Sequence, residues 1–171
     1  MSPQQLPVQI DPLQFGESRR QLDGTLPISA MSRLLEEMVD PDKEGKISIS
    51  LQFATDSEGY HTVQGRAETA VSLQCQRCME PVVLKLTAEI LLAVVKNEHE
   101  VDQLPPHYEP LLLSEGQVQL AELIEDELLL SLPMIPRHEE DCLSFQLTEG
   151  PGDLATNEEN PFAVLESLKR G

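Results

Sequence analysis

The chain has 171 residues, a length that suits one domain with a modest core and a tail, and its formal net charge is −18. Residues 97–160 hold 16 acidic residues and one basic residue, a balance that repels phosphate backbones and attracts basic proteins. No apolar run follows a basic start, none approaches the ~18 residues of a membrane span, and 3 cysteines do not make a secreted disulfide framework. We therefore expect a protein of the reducing cytoplasm that has no contact with membranes.

The first third of the chain predicts an extended arm followed by a helix. Residues 1–27 contain several prolines and predict extended chain, with a short edge strand over 6–10. Residues 29–40 have helical spacing, and Ser29 is placed to cap the first turn. The apolar face of this helix would consist of Met31, Leu34, Leu35 and Met38.

Three stretches then alternate apolar and polar residues with a period of two. They cover 46–54, 63–75 and 82–94, and the links between them are short. Neighbouring alternating runs with short links predict an antiparallel β-meander. The pair Cys75 and Cys78 falls in the turn between the second and third strands.

The second half predicts a loop and one further helix. Residues 96–117 are acidic and proline-containing, and predict a loop with a short strand near 111–113. Residues 120–132 have helical spacing until Pro133 ends the helix. The predicted fold class is therefore α+β, an antiparallel β-meander with flanking helices and a flexible acidic C-terminal segment.

The C-terminal part predicts a tether and a docking helix. Residues 1–137 form the predicted domain, and 138–160 are polar and acidic and predict a flexible linker. Residues 161–171 predict a short helix, because Asn160 can cap its first turn and Pro161 suits the first helical position. Such a helix can dock on its own domain or on a partner. Its apolar stripe would consist of Phe162, Leu165 and Leu168.

The cysteines allow three interpretations, the first of which is a structural zinc site. A tetrahedral zinc site needs four N or S ligands, and Cys75 and Cys78 supply one pair. His138 and Cys142 offer a second pair at an acceptable spacing, although the sequence does not show that the two segments meet. Four protein ligands would leave no position for a catalytic water.

The other two interpretations are a thiol redox pair and buried cysteines without chemistry. A redox pair favours a helix N-terminus at the first thiol, whereas Cys75 follows one predicted strand and Cys78 precedes another. In the third interpretation the cysteines only pack as small apolar side chains. No hydrolase, P-loop or dinucleotide motif is present, so we predict no catalytic residue and no small-molecule substrate.

Several motifs resemble the YceD family, bacterial proteins linked to accumulation of large-subunit ribosomal RNA. The C-x-R-C…P pattern is carried by 73–78 and Pro81, and three further matches are LPPHYEP at 104–110, EDELLLSLPMIP at 125–136 and NPFAVLESLKR at 160–170. The resemblance implies a cytosolic, non-enzymatic role in the synthesis, processing or stability of 23S ribosomal RNA. Some family members have a second cysteine pair where this chain has His138 and Cys142, which leaves zinc open.

The leading hypothesis is a ribosome-biogenesis factor that acts through a basic partner, either a large-subunit ribosomal protein or the pre-50S particle, with only indirect RNA contact. Acidic residues 97–160 would steer the encounter. The alternatives are an RNA-binding zinc module and a thiol redox protein that uses Cys75 and Cys78. The predicted partner-binding residues are Phe162, Leu165, Leu168 and Arg77.

Overall fold

The computed structural model describes residues 6–113 and 116–142. Its main sheet has five strands in the order β2(Gln21–Pro27), β3(Lys46–Thr55), β4(His61–Gln74), β5(Pro81–Val95) and β6(Glu109–Leu112). A two-stranded sheet pairs β1(Gln9–Ile10) with β7(Val118–Gln119). The α-helices are α1(Pro12–Glu17), α2(Ser32–Glu37), α3(Glu98–Val101) and α4(Leu120–Leu130).

The predicted α+β class and antiparallel meander are confirmed. β3 pairs antiparallel with β4, and β4 with β5, while the edge strand β6 runs parallel to β5. Gly65 permits the close approach of β4 to β3, because a Cβ at this position would lie 1.9 Å from the carbonyl oxygen of Ser50. Any other residue there would force the two strands apart.

The core lies between one face of the main sheet and helices α1, α2 and α4. Alternation along β3 buries one face of the strand, as the period-two pattern predicts. No helix in the described ranges is long and apolar enough to span a membrane. The most buried core side chains include Ile47, Leu51, Phe53, Val63, Leu34, Leu120 and Ile124.

The prediction of extended chain over 1–27 is wrong for residues 12–17, which form helix α1, whereas the strands β1 and β2 in the same range are extended. The Asp11 carboxylate accepts hydrogen bonds from the backbone amides of Leu13 and Gln14, both at 3.1 Å, and Pro12 occupies the first turn. The helix then buries Phe15 edge-on against Phe53, with ring centroids 5.3 Å apart. Asp11 followed by Pro12 is thus a local helix-start signal within a proline-containing segment.

The helix predicted over 29–40 is shorter than expected. It is divided into a 3₁₀ turn, Ile28–Ala30, and α2, and Met38 is already extended. Neither part has a side-chain cap of its own. Instead, the buried carboxylate of Glu125 on α4 accepts hydrogen bonds from the backbone amides of Arg33 at 2.7 Å and Leu34 at 3.1 Å. A residue 92 positions away therefore caps α2 and holds it against α4.

Residues 143–171 are outside the described part of the chain, and so are the predicted docking helix and its residues Phe162, Leu165 and Leu168. The division into a domain over 1–137, a linker over 138–160 and a terminal helix over 161–171 stays a prediction.

We expect Glu125→Ala to lower the free energy of unfolding by about 2–3 kcal/mol, because two helix-terminal amides lose a charged acceptor. Urea unfolding of purified protein measures this. Glu122→Ala changes an exposed carboxylate on the same helix and should cost no more than ~0.5 kcal/mol. Equal stability of the two variants would contradict the capping role of Glu125.

Candidate metal centre

The turn between β4 and β5 presents two thiols close together. The backbone amide of Cys75 donates to the carbonyl of Glu80 at 2.9 Å, and the amide of Met79 donates back to the carbonyl of Cys75 at 2.9 Å. Met79 takes a positive φ of 66°, which lets the chain reverse within a few residues. The amide of Arg77 lies 3.4 Å from the sulfur of Cys75. The turn therefore fixes Cys75 and Cys78 at the end of a long hairpin.

The segment that follows α4 brings the second pair of candidate ligands to this turn. The backbone amide of Gln76 donates to the carbonyl of Pro136 at 2.8 Å, which joins the segment to the turn. His138 then lies beside the hairpin, with its Nε2 3.1 Å from the carbonyl oxygen of Pro81 and its Nδ1 3.5 Å from the sulfur of Cys78. The segments that the sequence could not bring together thus meet in the structure.

The candidate ligand atoms of Cys75, Cys78, His138 and Cys142 all lie within 4.8 Å of one another. The sulfurs of Cys75 and Cys142 are 3.7 Å apart. A tetrahedral zinc with ~2.3 Å Zn–S and ~2.0–2.1 Å Zn–N bonds requires S···S near ~3.8 Å and S···N near ~3.5 Å. The observed S···S distance of 3.7 Å and S···N distance of 3.5 Å match both values, so the donor set and its spacing could hold such a metal ion.

The imidazole of His138 is oriented as metal-bound histidines usually are. Nδ1 faces the sulfurs, while Nε2 is placed to donate its proton to the carbonyl oxygen of Pro81. That hydrogen bond selects the tautomer that leaves Nδ1 free to bind a metal. Of the four side chains, Cys75 is fully buried and the other three are half-buried.

The pKa values of the thiols differ because their hydrogen bonds differ. Burial raises the pKa of Cys75, but hydrogen bonds from the amides of Cys78 and Arg77 and from His138 outweigh it and lower the pKa to about 5. Burial likewise raises the pKa of Cys142, and hydrogen bonds led by that from Arg77 lower it below its ordinary value. A hydrogen bond from the amide of Glu80 lowers the pKa of Cys78, yet burial and the neighbouring thiols leave it raised. Hydrogen bonds with Cys75 and Cys142 raise the pKa of His138.

Arg77 holds the 138–142 segment through one guanidinium. Its Nε lies 3.0 Å from the sulfur of Cys142, and its terminal nitrogen donates to the carbonyls of His138, at 3.2 Å, and Glu140. The side chain is 26% exposed and lies 3.9 Å from the carboxylate of Asp141. The role of Arg77 in partner binding stays a prediction; its observed contacts are with Cys142 and with the backbone of the 138–142 segment.

The geometry of the cluster gives little support to a thiol redox function. The low pKa of Cys75 suits a nucleophile, but it equally suits a metal ligand, since both act as thiolates. Cys75 is 0% exposed, so an incoming disulfide cannot reach its sulfur. The pair is flanked by β4 and β5 rather than by a helix N-terminus. Its surroundings favour coordination over exchange.

Comparisons with known proteins identify relatives over most of the chain. Residues 63–169 match the family described as large ribosomal RNA subunit accumulation protein YceD. A protein of that description from Haemophilus influenzae is 33% identical over 171 residues, which covers 96% of this chain and 97% of the relative. No solved structure matches. The matched range contains all four candidate ligands.

In metal-free protein at pH 7 we expect iodoacetamide to alkylate Cys142 several-fold faster than Cys78. Both are half-buried, but the pKa of Cys142 is lowered and that of Cys78 is raised, so Cys142 is more fully thiolate. The difference should narrow as the pH rises above both pKa values. Peptide mass mapping after timed quenching measures both rates.

The matched variants are Arg77→Met and Arg137→Met. Each removes one positive charge directly next to a candidate ligand in the sequence. Only Arg77→Met should slow the alkylation of Cys142, because Arg77 donates to its sulfur. Equal rates at Cys142 and Cys78 in the unaltered protein would show that these hydrogen bonds do not set the thiol pKa values.

Proposed function

This chain belongs to the YceD family of large ribosomal RNA subunit accumulation proteins, and we propose that it supports the synthesis, processing or stability of 23S ribosomal RNA without catalysing a reaction. The observation that supports this most directly is the 33% identity to a protein of that name along nearly the whole length of both chains. In this proposal the protein works in the cytoplasm and takes no small-molecule substrate.

The partner in this proposal is basic, either a large-subunit ribosomal protein or the pre-50S particle. The net charge of −18 disfavours direct binding of a phosphate backbone, because that binding relies on lysine and arginine displacing counterions. The same charge accelerates encounter with basic proteins. Acidic residues 97–160 would steer the partner, and Phe162, Leu165 and Leu168 would anchor it with apolar contacts.

The proposed metal is a structural zinc held by Cys75, Cys78, His138 and Cys142. Three thiolates and one imidazole are a common donor set for zinc, and four protein ligands leave no position for water. When bound, the ion would supply cross-linking and no reaction chemistry. It would join the 138–142 segment to the hairpin turn, and so fix the start of the predicted acidic linker on the domain.

An RNA-binding zinc module is the alternative from another class. Its support would be the thiol turn with Arg77 nearby, but the guanidinium is already bonded to Cys142 and to two carbonyls. Titration of the isolated protein with 23S ribosomal RNA fragments at physiological salt separates the two proposals. Tight binding without a protein partner would favour the alternative.

We expect native mass spectrometry of the purified chain to find one zinc ion per molecule. Cys142→Ser and His138→Ala should each lower zinc affinity in a chelator competition by more than the ~10–100-fold typical of residues that only orient a ligand. Glu139→Gln, between the two ligands in sequence, should leave it unchanged. Metal-free protein that gains no zinc on titration would contradict the proposed site.

The partner proposal predicts salt-sensitive capture of basic proteins. Immobilised protein should retain purified large-subunit ribosomal proteins at ~0.1 M salt and release most of them near ~1 M, where the Debye length falls from ~10 Å to ~3 Å. Alanine at Phe162, Leu165 and Leu168 together should reduce capture, whereas Ser167→Ala, on the opposite face of the predicted helix, should not. Capture that survives both high salt and the triple substitution would rule the mechanism out.

A further inference from the structure

A groove of about 670 Å³ lies between α4 and the β5–β6 edge of the sheet. We call it the α4–β6 groove. Leu130, on its wall and the last residue of α4, is 76% exposed, whereas Leu128 on the same helix is fully buried. The apolar lining residues are Leu92, Leu111, Leu123, Leu129 and Leu130.

An unpaired carboxylate lies in this apolar groove. Glu127 is 8% exposed, and its side chain makes no hydrogen bond or ion pair with any residue of the described ranges. Burial first, and then the charges of Glu109 and Asp126, raise its pKa to about 7. Asp126 has a partner in Arg33 at 2.7 Å, whereas Glu127 has none. The groove is therefore complementary to an apolar segment that carries a positive charge.

The terminal residues of this chain have that composition. If 161–170 form the predicted helix, Lys169 lies seven positions after Phe162 and four after Leu165, on the same face. The helix would thus present one cation within its apolar stripe. Arg170, one position further, would point away from that stripe.

We propose that residues 161–170 fold back as a helix into the α4–β6 groove, with Phe162, Leu165 and Leu168 against its leucines and Lys169 against Glu127. The connecting residues 143–160 have a root-mean-square span of roughly 25 Å as a flexible chain. A domain of this size has a radius of gyration of about 14 Å, so the groove is within reach from Cys142. Tethering keeps the local concentration of the helix near the millimolar range.

Docking in the free protein bears on the partner proposal, since both use the same three apolar side chains. In the absence of a partner the groove would cover them. A basic partner that pairs with the acidic surface would compete with Lys169 for Glu127 and release the helix. The inference stands without that proposal, however, because it concerns the protein alone.

The test is ¹⁵N NMR on the full chain at concentrations where sedimentation shows a monomer. Heteronuclear NOE values at 162–169 should equal those of the core, and hydrogen exchange at the amides of α4 should be slow. Lys169→Glu should release the helix and speed that exchange several-fold. Arg170→Glu makes the same charge change off the stripe and should leave both readouts unchanged.

Charge reversal identifies the contact. Glu127→Lys in the Lys169→Glu background should restore docking, and Glu122→Lys, on the exposed face of α4, should not. Where Glu127→Lys prevents folding, Glu127→Gln alone should weaken docking in a folded protein. Low NOE values in the unaltered chain, equal effects of Lys169→Glu and Arg170→Glu, or docking that appears only in a dimer would each overturn the inference.

The outcomes also separate this inference from the partner proposal. If NMR shows a free helix while capture of ribosomal proteins still requires its three apolar residues, only the docking inference is wrong. If the helix docks but capture does not depend on those residues, only their proposed role in partner binding is wrong.

Discussion

The antiparallel register of β4 with β5 determines where both thiols of the turn lie. The pairing runs from Thr62 opposite Ala93 to Gln74 opposite Pro81, so the turn can begin only at Cys75. Side chains alternate with a period of two, and a slip of one residue would exchange the buried and exposed faces of the hairpin. Cys75 would then leave the 0%-exposed position that it shares with the core, and the candidate ligand set would be broken.

Contacts between protein groups alone hold the candidate ligands of this site near one another, without a bound ion. The hydrogen bond from Gln76 to Pro136 and the three contacts of Arg77 hold the 138–142 segment on the turn. Arg77 also places one positive charge beside a cluster in which the pKa values of Cys75 and Cys142 are lowered. A zinc ion with three thiolates has net charge −1, which one guanidinium offsets. The four candidate ligands are thus held near one another without an ion, and the proposed zinc would make the site close to neutral.

The parts of the fold that sequence predicted are those governed by local periodicity. The alternation over 46–54 became β3 because burial on one face leaves that signature, and the helix over 120–132 was found for the same reason, apart from its last residues. The start of the helix over 29–40 was misplaced because its cap, Glu125, is remote in sequence. Cys75, Cys78, His138 and Cys142 could be nominated by residue type, but their proximity depends on tertiary contacts such as that of Pro136, which no spacing rule contains.

The long separation between partners has a consequence for synthesis on the ribosome. Cys75 and Cys142 are 67 residues apart, and Glu125, which caps α2, lies 92 residues after Arg33. At ~5–20 residues per second, Cys75 is added to the chain roughly 3–13 s before Cys142, the last candidate ligand. During that interval the nascent N-terminal half has an incomplete core and two unshielded thiols. A chain that terminates before residue 142 would therefore keep both thiols of the turn but lack the downstream thiol that lies against them.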